Sequence, residues 1–440
     1  MTDRSNHHHR HLLLTRTTDL NMELFHKLGV EIEEIWREKN YNEELFPAVA
    51  ADALKRAELP SMVTAWDVLE WTIKETELPR QRDVPGRFGD PPITIYSGLR
   101  FHIDVYFWFQ GTTATHQHGF CGAFQVLHGS SIHSWYEFER RAAVNLFCEI
   151  GDISLKVCEI LERGDVQEIQ SGRRYIHSLF HLDQPSATIV VRTDRSPLDL
   201  PQFSYHKPSL AIDPFFELDE TTKKIQAMSA IVHMNPDNAD DLIADYMKTS
   251  DLQTTFMILS QLRGLFRSNQ LNQMFRPGEA SSRFEKFLEV AARQHGSNGE
   301  IFRPVFARMD MLDEMLTRRG YVTNPEHRFF MALLLNVDGR ERIFSLVKHR
   351  FPDADPIEKV LDWIFDLGQT RVLGTDSSNA LGIADFGESE MFVLENLLKG
   401  KGDKEIEQAF VAENPGQDSQ AVSNALAKIR GSVIFRPLLT

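Results

Sequence analysis

Gly111-Thr-Thr-Ala-Thr-His116-Gln-His118-Gly-Phe-Cys-Gly122-Ala-Phe-Gln-Val-Leu-His-Gly129 sets two histidines one residue apart in a β-rich setting. Side chains on a strand alternate with period 2, so His116 and His118 share a face. A later stretch, Gly164-Asp-Val-Gln-Glu-Ile-Gln-Ser-Gly172-Arg-Arg-Tyr-Ile-His177-Ser-Leu-Phe-His181, offers a third imidazole, His177. Delivered from a neighbouring strand, it completes a three-nitrogen face for one metal ion. Three protein ligands leave positions open for water, substrate or dioxygen, which catalysis requires.

Working outward, the texture around these motifs is β throughout. Ile93–Tyr96, Phe101–Phe109, Phe124–Leu127, Ser131–Phe138, Ala143–Glu149, Ser154–Leu161 and Ser186–Thr193 are short β-rich runs. Gly129-Ser130, Gly151-Asp152, Gly164-Asp165 and Asp183-Gln-Pro185 read as the turns between them. Many short strands at this spacing predict a sandwich or barrel. Asp194–Pro214, with its prolines, reads as an irregular exit segment.

Helical patterns flank this block. Asp19 is an N-cap for a helix carrying Phe25, Leu28, Ile32, Ile35 and Trp36 at helical spacing; further helices are expected near 43–57 and around Trp66–Ile73. After residue 216, Asn235-Pro-Asp, Ser281-Ser282, Asn324-Pro-Glu, Asp355-Pro-Ile-Glu, Glu388-Ser-Glu and Asp418-Ser mark helix starts, with no fixed repeat period. The expected organisation is a His-rich tail (1–18), an N-terminal helical segment (19–90), a β-barrel (91–215) and an all-α C-terminal region (216–440), an α+β multidomain chain.

Composition bounds the function classes. A chain of 440 residues with 42% hydrophobic content fills real cores and divides into more than one domain. Its net charge of −15 argues against nucleic acid or an anionic membrane surface as partner. No apolar run is long enough to span a bilayer, and no signal peptide is read. Three cysteines without a CxxC pattern fit a reducing cytoplasm, where Cys121, Cys148 and Cys158 act as small core hydrophobes. The run His7-His8-His9-Arg10-His11 is read as a polar tail.

The two motifs together resemble those of the cupin superfamily. Its first motif runs Gly, spacer, His-x-His, a few residues, Glu, six residues, Gly. Gly111, His116, His118 and Gly129 follow that frame, with Gly122 at the Glu position. Its second motif matches Gly164, Gly172, His177 and His181, with Gln170 for Pro and His181 for Asn. The match spans about a quarter of the chain and implies a central antiparallel cupin barrel. A missing Glu is similar to the three-histidine thiol dioxygenases, the cysteine dioxygenase branch. That resemblance implies His116, His118 and His177 as ligands to Fe(II), another divalent metal remaining an alternative, with dioxygen and a small molecule as substrates. The branch also carries a Ser-His-Tyr series after the third ligand; Thr188, Val190 and Arg192 stand at the nearest positions here, without its His or Tyr. It grips a substrate carboxylate with an upstream Arg, for which Arg100 is the candidate, with Tyr96 beside it.

Other residues have plainer readings. His181 is a supporting donor, a replacement for the motif's Asn or a surface residue. His128 and His133 read as ordinary strand histidines, and Gln125 as facing away from the metal unless a bulge intervenes. Arg173, Arg174 and Tyr175 read as a solvated turn, and Cys121 as a structural thiol. Three functions follow: an Fe(II) oxygenase of thiol-dioxygenase type, a metal-dependent cupin lyase or isomerase, and a non-enzymatic cupin sensor whose helical region binds a partner. The long helical additions equally suit a lid or a homodimer interface.

Overall fold

The computed structural model describes residues 22–440 except 83, 85–87, 110, 112–113, 217, 269–277, 371–378, 414–418 and 433. Asp19, the His7–His11 run and Asp418 lie outside the described residues.

Helix α1 (22–38) buries Phe25, Leu28, Ile32 and Trp36, the stripe its spacing dictates. Helices α2 (Phe46–Ala57), α3 (Leu59–Met62) and α4 (Ala65–Lys74) follow. A capping box in which Thr64 and Asp67 satisfy each other's backbone starts α4.

Eleven strands follow among the described residues: β1 (Pro92–Ser97), β2 (Phe101–Trp108), β3 (Thr115–His118), β4 (Gly122–His128), β5 (Ser131–Asn145), β6 (Cys148–Leu161), β7 (Val166–Ile169), β8 (Gly172–His181), β9 (Ser186–Thr193), β10 (Ser204–His206) and β11 (Leu210–Ile212). One sheet has the order β1-β2-β9-β4-β7; the other closes as β10-β11-β6-β5-β8-β3, and the pairings are antiparallel. This is a closed antiparallel barrel beside a second antiparallel sheet, within an α+β chain.

The five-stranded sheet has two different faces. Ile103, Val105, Ala123, Ile189 and Val191 pack with α1 and α2 into one apolar core. Tyr106, Trp108, Phe124, Val126 and Val190, from the other face, meet Leu161, Tyr175 and Leu179 of the second sheet.

Two segments differ from expectation. The run Ala143–Glu149 is not a strand of its own: β5 and β6 are long partners joined at Leu146-Phe147. Gly151 sits inside β6, where a Cβ would lie 2.3 Å from the Glu139 carbonyl oxygen. Its glycine therefore serves strand pairing and not a turn. Asp194–Pro214 is not irregular throughout, because β10 and β11 within it close the barrel.

The C-terminal helices begin at Asp219–Met234 and end at Arg436–Leu439. They form two cores. One joins Phe256, Leu259, Phe302 and Phe306 to Cys148, Ile150, Leu210 and Ile212; the other joins Phe330, Leu333, Trp363 and Leu394 to Ile132, Ile160 and Phe180. Asn324 and Asp355 cap the helices Pro325–Asn336 and Pro356–Gln369, as Asn-Pro and Asp-Pro starts predict.

Candidate metal centre

His116 and His118 leave β3 on one face, and His116 pairs directly with His177 of β8. Beyond that pair the register jumps, bringing Gly172 opposite His118. Gln117, between the two, points the other way and bonds Pro201 and Tyr205. The three imidazoles converge: their ring centroids are 4.6, 4.7 and 4.9 Å apart, and one nitrogen of each lies within 4.8 Å of the others. All three are buried.

Hydrogen bonding sets which nitrogens face inward. His116 Nδ1 lies 2.7 Å from the Ala114 carbonyl oxygen, to which it donates. His177 Nδ1 lies 2.9 Å from His133 Nε2. With Nδ1 as donor in both rings, the Nε2 lone pairs remain for the centre. His116 Nε2 is buried with no hydrogen-bond partner, and His118 Nε2 is 2.8 Å from His177 Nε2. Two imidazole nitrogens at that distance need a proton or a cation between them. Burial pushes His116 below its ordinary value, and burial with the neighbouring histidines pushes His118 and His177 well below. Neutral imidazoles with an orphaned nitrogen fit a divalent metal.

Among the described residues no carboxylate joins the three histidines, and at position 122 the reason is steric. A Cβ on Gly122 would stand 2.0 Å from the Val191 carbonyl oxygen and 2.8 Å from Arg192 Cα, both backbone of the paired strand β9. The position admits no side chain unless β9 moves.

The histidines open into a small cavity of about 30 Å³. Its wall is Phe88, Trp108, Phe120, Phe124, Ile169, Leu179 and Val190, with Tyr106 and Thr188 as the other polar residues. Thr188 Oγ1 accepts from Trp108 Nε1 at 3.2 Å. A larger cleft of about 300 Å³, bounded by Leu146, Phe147, Phe216 and Thr254, lies elsewhere and contains no histidine. Of the two, the smaller space is the one lined by the three histidines.

Three of the expected site residues come together and three do not. His181 lies behind the wall, stacked on Trp108 at 4.8 Å, with Nδ1 2.8 Å from Ser186 Oγ. Burial lowers it to about 3. Arg100 is exposed in the turn after β1, with its guanidinium 4.3 Å above Tyr41. Tyr96 packs on Gly29, His26 and Phe101, on the side of the sheet that faces α1. The reason is a bulge: β1 shifts register between Thr94 and Tyr96, so Thr94 reaches Asp104 inside while Tyr96 turns outward. Arg100 and Tyr96 therefore do not grip a ligand at the histidines.

Two residues that strand and turn readings passed over belong here. His133, fully buried and lowered to about 3 by burial, holds His177. Tyr175 is buried, 4.5 Å from the His177 ring, with its hydroxyl 3.3 Å from His133 Nε2. The alternation Ser131-x-His133-x-Trp135 is the one sequence signal for the first. Gln125 bonds the Gly164 carbonyl and does not line the cavity. His128 is exposed. Cys121 faces the Glu43 carbonyl, and burial raises its thiol to about 11. A protonated thiol packed away from the cavity is no nucleophile.

No protein-family model matches the sequence, and no curated protein does. Among solved structures, CapF with the inhibitor 3-isopropenyl-tropolone is 18% identical, covering 33% of this chain and 38% of its own, with a TM-score of 0.21. The crystal structures of the DMSP lyases RdDddP and RnDddQII are 13% identical, covering 42% of this chain and 97% of that chain, with a TM-score of 0.24. The capsular polysaccharide assembling protein CapF from Staphylococcus aureus is 16% identical, covering 27% and 33%, with a TM-score of 0.17. This chain thus spans well under two thirds of CapF. No chemistry passes from these proteins to this one.

Proposed function

We propose that this chain is a mononuclear metal-dependent cupin enzyme that uses iron(II) and dioxygen to oxidise a small molecule, with a thiol as the first substrate class to test. The observation that carries this reading is a neutral three-histidine face, denied a carboxylate at Gly122, opening into a small, mostly aromatic and aliphatic cavity. Bound iron(II) would supply open coordination positions and electrons for dioxygen. The protein's part is to hold two of the three lone pairs inward, those of His116 through Ala114 and of His177 through His133, and to line the site with Trp108, Phe120 and Phe124. A cavity of about 30 Å³ admits a molecule of the size of water or dioxygen. Phe88 lies edge-on to His116 at 5.6 Å and is partly exposed to solvent.

A second reading is a metal-dependent lyase or isomerase. Tyr106 favours it: a phenol on the cavity wall, donating to the Asp104 carboxylate at 3.2 Å, is placed for proton transfer to or from a substrate.

Metal analysis of protein purified without a nickel column comes first, followed by oxygen uptake by the iron-loaded protein over a panel of small thiols and of thiol-free analogues. Uptake coupled to sulfinate formation supports the first reading. Turnover retained with Zn(II) or Ni(II) under anaerobic conditions replaces it with the second. Protein that takes up no stoichiometric metal overturns both.

A further inference from the structure

Among the described residues, none that lines the three-histidine cavity is a lysine, arginine, aspartate or glutamate. Leu179 follows His177 by two residues on β8, and Val190 follows Thr188 by two on β9, so each pair shares the face turned to the cavity. Trp108, Phe124 and Ile169 extend this apolar wall around the imidazoles.

The two hydroxyls on the wall are already engaged. Tyr106 Oη donates to Asp104 Oδ2 at 3.2 Å, and Thr188 Oγ1 accepts from Trp108 Nε1 at 3.2 Å. Two charged residues stand close by, and they face each other: Arg192 Nε lies 3.6 Å from Asp104 Oδ2. The Arg192 guanidinium rests on the outer side chains of the site, 4.4 Å from the Phe120 ring centroid. Neither Arg192 nor Asp104 lines the cavity. Arg100, the cation expected for a substrate carboxylate, stacks on Tyr41 instead. A molecule held at the histidines through one atom therefore meets carbon with the rest of its length. A charge on that remainder would leave water without an opposite charge on the wall, which costs orders of magnitude in affinity. An apolar remainder is favoured by the same transfer.

We infer that the site selects an uncharged molecule with a short apolar tail and, among thiols, takes an alkyl thiol in preference to an amino thiol or a mercapto acid. The inference rests on the reading of the cavity as a metal-dependent site with a thiol substrate. The volume of about 30 Å³ restricts the tail to a few atoms. A hydroxyl-ended tail ranks between the apolar and the charged ones, because Thr188 Oγ1 keeps its own hydrogen to donate.

Cobalt(II)-loaded full-length protein, its cobalt content measured first, is titrated without oxygen against 1-propanethiol, 2-mercaptoethanol, cysteamine and 3-mercaptopropionate. These chains are of similar length and differ in the terminal group. Thiolate-to-cobalt absorption gives a dissociation constant for each, corrected for the ionised fraction of the thiol in water. 1-Propanethiol should bind tightest, with 2-mercaptoethanol on the order of 10-fold weaker. Cysteamine and 3-mercaptopropionate should be weaker on the order of 100-fold or more. Val190→Lys, which adds an ammonium to the wall, should narrow the gap between 1-propanethiol and 3-mercaptopropionate by about 10-fold. Cysteamine or 3-mercaptopropionate binding as tightly as 1-propanethiol overturns the selectivity and leaves the metal reading standing. An unchanged gap in Val190→Lys at full cobalt content overturns the role given to the wall. A thiolate band with none of the four, at one equivalent of cobalt, overturns the thiol reading together with this inference. Protein that takes up no cobalt overturns the metal reading. If Val190→Lys fails to fold by circular dichroism, the wild-type series decides.

Discussion

Strand β2 is buried along its whole length, yet its two faces have nothing in common. Phe101, Ile103, Val105 and Phe107 join α1 and α2 in a predominantly apolar core. His102, Asp104, Tyr106 and Trp108 face the barrel interior, where each polar group but one nitrogen is matched within hydrogen-bonding reach. Equal burial therefore does two jobs. One face supplies the apolar area that holds the barrel folded; the other carries buried polarity that folding alone does not require and that costs stability unless paired. The N-terminal helices seal the sheet so that its inner face is free to hold chemistry.

That contrast breaks most sharply at the metal ligands. His177→Ala should abolish tight metal binding, a loss greater than the ~10–100-fold expected of a supporting partner, while circular dichroism stays native. A variant that keeps a full equivalent of metal would remove His177 from the ligand set. The opposite behaviour belongs to the sealing face. Ile103→Ala, at a position fully buried against the helices, should cost about 2–5 kcal/mol by denaturant titration but leave metal stoichiometry unchanged in the folded fraction. Loss of metal without loss of stability there would erase the distinction between the two faces.

Acid sharpens the comparison further. Burial lowers His133 and His181 from 6.5 to about 3 in the folded protein, so the folded state holds both rings neutral. The unfolded chain binds their protons near pH 6.5 and the folded one does not until about pH 3. Stability from this source is present above pH 6.5 and falls with decreasing pH through that window, by about 1.4 kcal/mol per pH unit for each histidine. Unfolding free energies of metal-free protein at pH 7 and 5 would measure it, and His133→Phe should flatten the slope. A slope that His133→Phe does not change would show that ring to be protonated in the fold. The smallest effect is expected at Arg100→Ala, which removes an exposed stack on Tyr41 worth about 0.5–1 kcal/mol and should leave metal content and turnover unaltered. A turnover defect would return Arg100 to the site.

The histidines were legible because period-2 alternation and two separated motifs are local signals. Pro and Gly density precedes the first strand at Pro92, and the Asn324 and Asp355 caps were legible as helix starts in the C-terminal region. Tyr96 was not, because a bulge inverts the face of a strand residue and leaves no mark in composition. His133 was not, because a lone histidine on a strand gains meaning only from the residue opposite, and β5 pairs with β8 across a long stretch of intervening chain. Gly151 misled for the converse reason: a glycine inside a ladder reads the same as one in a turn until the approaching backbone is seen. β10 and β11 are short strands set among prolines, and their pairing is entirely non-local.

Gly122 turns a difference of one residue into a barrier to redesign. In sequence, restoring a carboxylate to the first motif is a single substitution, Gly122→Glu. In space it is two coordinated moves, because the new side chain would meet the Val191 carbonyl before it reached the histidines. A stepwise search through single substitutions therefore meets a misfolded or weakened barrel before it meets a fourth ligand. Adding a carboxylate at position 122 has to begin on β9, at a residue outside the three-histidine group.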